Sequence, residues 1–381
     1  VKERLSDGAV ARIEGFVAQP GPHLSLGLHA LLLLVAAVVG IALPAVATPV
    51  TAVLTASLLG EGTGRFSLLR WVLPRVPSYN LVVRAGPNAD RPGLTTEGSR
   101  IGSVLVAAPL DVPRWRPAHP GWSRFRPLRL VFASAVAVTL ILAARSLAEP
   151  WGPYTGTVYG AALAVLAGAV VVGALVHRAG EGTDDGGAPS VLLELERLLR
   201  ERPLEGVDLW IAFLGCGRVT RGGMDAFLAL HRRTLQSPCL VVVLDDAGRP
   251  PLRAVGSEGS LYPQHPRPTG PALVERLRWA GVDVPFVDRP SPTDARTAML
   301  RGFRSVALTG GSGPADPTAV ARAADVVETM LRWYEGDLHR VADDRSTVEA
   351  FARAPPPAPR AATPAPAAKT TRPAPTGTEE P

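Results

Sequence analysis

Two long apolar blocks divide this chain of 381 residues. The first runs from Leu24 to Leu59 and opens with LSLGLHALLLLVAAVVGIAL. The second runs from Leu128 to Val176 and is interrupted by EPWGPYT at Glu149–Thr155. A helix advances about 1.5 Å per residue, so roughly 20 apolar residues are needed to cross the hydrocarbon of a bilayer. Leu24–Leu43, Leu128–Leu147 and Gly156–Val176 meet that length. The stretch after the Pro44–Pro49 break, VTAVLTASLL, is short for a full crossing and reads as tilted, extended or re-entrant. The expectation is two transmembrane helical hairpins, over residues 24–60 and 128–177.

A hairpin leaves and returns on one side of a membrane. The pieces outside the blocks, residues 1–23, 61–127 and 178–340, can therefore assemble into one domain. Arginines Arg65, Arg70, Arg114, Arg116, Arg124, Arg126, Arg129 and Arg178 flank the hairpin bases, while the tips at Pro44–Pro49 and Glu149–Thr155 carry no Lys or Arg. Positive residues favour the cytoplasmic side, which predicts a multi-pass protein of the cell membrane with a cytoplasmic soluble domain. The first block begins after about two dozen residues that include Glu3, Asp7 and Glu14, so a cleavable signal peptide is not expected. Arg65–Arg75 (RFSLLRWVLPR) suits either an interfacial helix or a half-buried lead into a strand.

The net charge of +6 could suggest a nucleic-acid partner. The only lysines are Lys2 and Lys369, the other basic residues are arginine, and Ala, Gly and Pro are abundant, as in proteins of GC-rich bacterial genomes. No compact basic run is interleaved with aromatics, so nucleic acid is not an expected partner. Cys216 and Cys239 sit in or beside apolar runs and read as buried thiols.

The soluble pieces alternate between strand and helix patterns. Strand candidates are Ala9–Val17, Asn80–Arg84, Ile101–Ala107, Val207–Leu214, Cys239–Leu244, Val282–Val287 and Ser305–Leu308. Helix candidates are Ser190–Arg200, Met224–Arg232, Pro271–Ala280 and Thr318–Tyr334. In the first helix Val191, Leu192, Leu195, Leu198 and Leu199 share a face. Strands alternating with such helices predict an α/β fold, a mostly parallel sheet with helices on both faces. The Pro/Ala-rich segment 352–381 lacks large apolar residues and is read as a disordered tail.

Five short segments, in order, resemble the di-zinc aminopeptidases, the twenty-eighth family of metallopeptidases, which includes aminopeptidase Y. They are SYNLVVRAG at Ser78–Gly86, SVLVAAPLD at Ser103–Asp111, GTDDGGAPSVLLELERLL at Gly182–Leu199, VDLWIAFLGCGR at Val207–Arg218 and LVVVLDDAGR at Leu240–Arg249. The resemblance implies a zinc-aminopeptidase-like sheet interrupted by the two hairpins. It places Asp185 at the bridging metal ligand, Asp245 at a second Asp ligand, and Asp111 at the Asp that supports the first His. The same alignment puts Pro109 in place of that His, Gly217 in place of the general-base Glu, and Arg218 in place of a ligand Glu. The loop Gly311–Thr318, where the final His belongs, contains none.

Zinc needs such N and O ligands to bring its water toward a neutral pKa. A guanidinium about 4 Å from a dication is repelled by roughly 8 kcal/mol at an effective dielectric near 20. The expectation is therefore no metal cofactor, with Arg218 approaching Asp185 or Asp245 in place of zinc. The chain then reads as a degenerate, membrane-anchored pseudopeptidase that binds the lipid bilayer and a protein or peptide partner. The same domain type serves as a scaffold or receptor in some eukaryotic proteins. Two alternatives stay open. One is an active zinc-dependent membrane aminopeptidase whose metal shell is rebuilt from His119, His265, Asp184 or Asp246. The other is a membrane structural protein whose hairpins pack against a transporter.

Overall fold

The computed structural model describes residues 11–18, 22–64, 66, 68–73, 75–85, 101–111, 126–147, 153–178, 186–216, 221–235, 237–259, 261–289, 292–311 and 314–353. The strands are β1 (Ala11–Ala18), β2 (Val76–Ala85), β3 (Gly102–Pro109), β4 (Val207–Leu214), β5 (Cys239–Asp245), β6 (Arg253–Glu258), β7 (Phe286–Arg289) and β8 (Arg304–Thr309). The helices outside the apolar blocks are α5 (Gly187–Glu201), α6 (Gly222–His231), α7 (Thr269–Trp279), α8 (Asp294–Leu300) and α9 (Pro317–Arg353).

The eight strands form one sheet in the order β1-β2-β4-β3-β5-β8-β6-β7. Strands β4, β3, β5 and β8 run parallel at its centre, with Val106 opposite Ile211 on one side and Val242 on the other. The flanks depart from a parallel order: β2 joins β4, β1 joins β2, and β6 joins β8 antiparallel. The sheet is thus mixed: its central four strands run parallel, and β6 and β7 pair parallel with each other at one edge.

Those central strands are apolar at almost every position because helices cover both faces. Val104, Val106, Ile211, Phe213, Val242 and Leu244 face a core shared with Leu192 and Leu195 of α5, Leu277 of α7 and Met330 of α9. Leu105, Ala107, Trp210 and Val241 alternate to the other face, under Met224 and Phe227 of α6 and Ala298 of α8. The predicted stripe on α5 is the buried one. Each fully buried leucine there contributes about 1.5–3 kcal/mol relative to exposure.

Two elements escaped the sequence pattern. β6 (RAVGSE) mixes small and charged residues, and α8 (DARTAML) spans only seven positions. The strand expected over 282–287 starts instead at Phe286. Pro285 cannot join a ladder as donor, and its carbonyl caps the sheet edge by accepting from Ala254 N at 3.0 Å. The helix expected to end at Tyr334 runs on to Arg353. The helix therefore overlaps the start of the segment read as a disordered tail, and residues 354–381 of that segment lie outside the described residues. Residues 340–381 form a separate unit, described as far as Arg353.

The apolar blocks fold into α1 (Pro22–Ala42), α2 (Pro44–Thr63), α3 (Arg126–Leu147) and α4 (Pro153–Arg178). α1 packs on α2 and α4, and α3 packs on α2 and α4. Ala30, Leu33, Leu54, Val138, Leu142 and Leu166 fill the bundle interior. Its outside is also apolar, with Val35, Val38, Ile41, Val53 and Leu140 all exposed. A water-exposed bundle would put polar residues there, so this surface matches hydrocarbon.

Three helices are long and apolar enough to cross a membrane: Leu24–Ala42, Pro44–Thr63 and Leu128–Leu147. A shorter apolar stretch, Thr155–Val171, lies in α4. The segment read as short is a helix of 20 residues that passes through Pro49 without a break. Thr48 Oγ1 donates to the Pro44 carbonyl at 2.8 Å, and Thr51 Oγ1 donates to the Thr48 carbonyl at 3.0 Å. Hydroxyls thus supply hydrogen bonds to carbonyls around Pro49, where the backbone lacks an N–H. Among its described residues, the basic segment after α2 holds a 3-10 turn at Leu69–Trp71 before β2, in which Arg70 is buried and Leu69 is half-buried. Trp71 and Val72 there are exposed.

Candidate functional site at the sheet edge and the bundle base

Parallel strands present functional groups at their C-terminal ends, and the carboxylates Asp111 and Asp245 lie there. Asp245 is the last residue of β5 and is buried, while Asp111 lies two residues past β3 and is partly buried. Pro109 ends β3 as a buried residue paired with Leu214, so the position given to the first His is part of the sheet. Asp185, Gly217 and Arg218 lie outside the described residues, as do Asp184 and His119. Three non-glycine residues at the turns beyond these strands hold left-handed backbone: Cys216 (φ 52), Arg221 (φ 59) and Asp246 (φ 64). Such conformations cost energy and cluster where a chain is held for a purpose.

Asn80 of β2 fixes the turn after β4. Its Oδ1 accepts from Gly215 N at 3.1 Å and its Nδ2 donates to the Gly223 carbonyl at 2.9 Å. Neither cysteine is in a disulfide, and burial raises the pKa of both thiols, that of Cys239 to about 12. A thiol so desolvated is a poor nucleophile.

Among the described residues, a guanidinium on Asp245 comes from β7. Arg289 Nη1 donates to Asp245 Oδ2, and also to Thr309 Oγ1 at 2.8 Å. Register explains the meeting: β5 pairs with β8 so that Asp245 faces Thr309, and β8 leads through β6 to β7. Asp294, at the start of α8, is 3% exposed, and its Oδ1 has no partner among the described residues. Burial, then the neighbouring carboxylates Asp111 and Asp245, push its pKa up to about 8. Glu258 at the end of β6 accepts from Thr293 N at 2.5 Å, and burial raises its pKa as well. Arg221 is pulled down to about 10 by burial and by the guanidiniums of Arg70 and Arg296, yet stays charged at neutral pH.

This polar network reaches the bundle. Arg296 Nη2 donates to the Thr63 carbonyl at the end of α2, at 3.1 Å. Near the same end, Glu61 Oε1 accepts from Arg70 Nε at 3.0 Å, and Glu61 Oε2 accepts from Ser25 Oγ. His29 Nδ1 lies 2.8 Å from the Ser25 carbonyl oxygen, so it carries the proton. Its Nε2 then accepts from Ser57 Oγ at 2.9 Å. Ser25, His29 and Ser57 are fully enclosed, which makes this a polar clasp between α1 and α2.

Sequence reasoning found Asp111 and Asp245 and missed Arg289, Asp294, Glu258, Arg221, Arg296 and the Glu61–Arg70 pair. One signal was available. Glu61 is an acidic residue closing an apolar run long enough to cross a membrane, a position where a charge is costly without a partner. His265 is exposed and bonds the Gly256 carbonyl oxygen at 3.2 Å.

No family model matches the sequence, and no curated protein matches it. Solved structures are similar at low identity. BSAP, a zinc aminopeptidase from Bacillus subtilis, is 12% identical, with 67% of this chain and 49% of that chain covered and a TM-score of 0.35. A putative zinc-dependent exopeptidase from Bacteroides vulgatus is 12% identical over 66% of this chain and 70% of its own, with a TM-score of 0.33. LapB from Legionella pneumophila is 11% identical over 73% and 56%, with a TM-score of 0.30. The chain spans about half the length of BSAP.

Zinc takes three or four N, O or S ligands at about 2.0–2.3 Å. Among the described residues no three His, Cys, Asp or Glu side chains gather for such a site. Asp245, expected from the sequence resemblance at a ligand position, is bonded to Arg289, and Pro109 has no donor atom on its side chain. The described residues do not fit zinc.

Proposed function

We propose that this protein is a membrane-held, peptidase-like protein without catalysis, acting as a binding or scaffold subunit. The observation that carries this reading is the Arg289 guanidinium on Asp245. A fixed cation there satisfies the buried carboxylate that a metal would otherwise bind, and it repels a dication from the same oxygens. Among the described residues at this edge, Asp294 is buried and neutral and Asp245 is bonded to Arg289, so neither is free to serve as the base that activates water. Purified full-length protein should show no hydrolysis of aminoacyl p-nitroanilides above the uncatalysed rate, with or without added zinc. Turnover that disappears on chelation and in Asp245→Asn would establish the alternative, an active zinc-dependent membrane aminopeptidase.

The bundle is read as four crossings of the cell membrane with the α/β domain on the cytoplasmic side. Arg70 and Arg129 near its base and the exposed apolar exterior support this. Cysteines introduced at Ser123 and Gly152 should label from opposite faces, Ser123 from the cytoplasm. Labelling of both from one face would refute the topology.

A further inference from the structure

Between the bundle base and the α/β domain lies a cavity of about 880 Å³, walled by the end of α2, the segment after it, β1, α6 and α8. Two of its arginines are paired: Arg70 with Glu61 at 2.9 Å, and Arg301 with Asp225 at 2.6 Å. Arg221 is different. Among the described residues its side chain makes no hydrogen bond or ion pair, and only longer-range charges act on it. Its guanidinium lies against the end of α2, where a Cβ placed on Gly64 would stand 3.6 Å from Nη1. Arg296 adds to the same positive field, 1% exposed, with Nε and Nη1 lacking partners among the described residues.

The carboxylates nearest these two arginines compensate them poorly. Asp294 is largely protonated at neutral pH and Glu258 is shifted the same way by burial. Arg296 Nε and Nη1, buried without acceptors among the described residues, cost about 1–3 kcal/mol each, and an anion placed on the half-buried Arg221 would offset the positive field the two arginines share. The rim supplies a second feature. Phe66 and Trp71 line the cavity and are 51% and 75% exposed, at the level where the apolar helices end. Exposed aromatics at that depth sit among headgroups and upper acyl chains.

The geometry points to the phosphate-bearing headgroup of an anionic membrane lipid as the occupant of this cavity, its phosphate on Arg221 and its glycerol end against Phe66 and Trp71. A guanidinium fork matches two phosphate oxygens, and anionic lipids concentrate at the cytoplasmic leaflet. Inorganic phosphate shares the first contact and has nothing to place on the aromatic rim. The inference rests on the bundle spanning a membrane and is independent of whether the sheet edge is catalytic.

The test uses the full chain in nanodiscs of phosphatidylcholine with phosphatidylglycerol as a minor component, read by native mass spectrometry of retained lipid. Phosphatidylglycerol should be retained over phosphatidylcholine by about tenfold beyond its share of the disc, which corresponds to roughly 1.4 kcal/mol. Arg221→Gln should abolish that preference, while Arg197→Gln, on the exposed side of α5, should keep it. Inorganic phosphate and glycerol phosphate, at the lipid's concentration, should not displace it. Equal retention of the two lipids, or an unchanged preference in Arg221→Gln, would overturn the proposal. Displacement by inorganic phosphate would overturn it too, in favour of a free anion. Where Arg221→Gln does not fold, the ratio in the unsubstituted protein still decides. Failure to enter nanodiscs at all would refute the membrane reading itself, a result distinct from loss of lipid preference.

Discussion

Asp294→Asn should remove most of a fall in folding stability between about pH 4 and pH 8. The carboxyl titrates near 3.8 when unfolded and near about 8 when buried beside Asp111 and Asp245. Across that window the native state holds a proton that the unfolded state has lost. Stability therefore decreases as pH rises, by about 1.4 kcal/mol per unit, and the loss is complete above the folded pKa. The sum is on the order of 5 kcal/mol, an upper figure because neighbouring groups share the titration. The asparagine carries no such proton, so variant and parent should be similarly stable near pH 4, with the variant ahead near pH 8. Denaturant unfolding of the detergent-solubilised full chain at several pH values measures the difference. Parallel stability curves would show that Asp294 ionises normally.

Arg289→Ala should destabilise the α/β domain by about 3–5 kcal/mol, the range for removing one partner of a buried ion pair. The side chains of Arg289 and Asp245 are 22% and 12% exposed, so water replaces the lost guanidinium only in part. Thr309 Oγ1 also loses its donor. Asp245→Asn in the same protein should recover a large part of the loss, because it removes the carboxylate that needed the cation. A double-mutant cycle with a coupling below about 0.5 kcal/mol would mean the pair contributes little.

What could be read in the sequence follows the physics of burial. Strands such as LVVVLD and VDLWIAFL announce themselves because both faces are covered, and α5 because one face repeats every three or four residues. Their ends gave Asp245 and Asp111 a place at the sheet edge before any coordinates. The partner of Asp245 was another matter. Arg289 lies 44 residues away, in a four-residue strand, and reaches the carboxylate only through the order in which β5, β8, β6 and β7 pair. Sequence reasoning expected an arginine in place of a metal and named Arg218, which lies outside the described residues. Among the described residues, an arginine that bonds Asp245 is Arg289. Pro49 misled differently: a proline early in an apolar run reads as a break, and neighbouring threonines let α2 pass through it. The mixed flanks of the sheet depend on which edges pair, and hydrophobic period carries no such information.

The account stands on a guanidinium at Asp245, the residue to which the sequence resemblance gives a metal ligand's place. Metal content of the full chain, purified without chelators from zinc-supplemented cells, tests it most directly. The expected result is zinc far below one equivalent per chain, unchanged by added zinc after desalting. One or two equivalents of tightly held zinc, lost in Asp245→Asn, would contradict it.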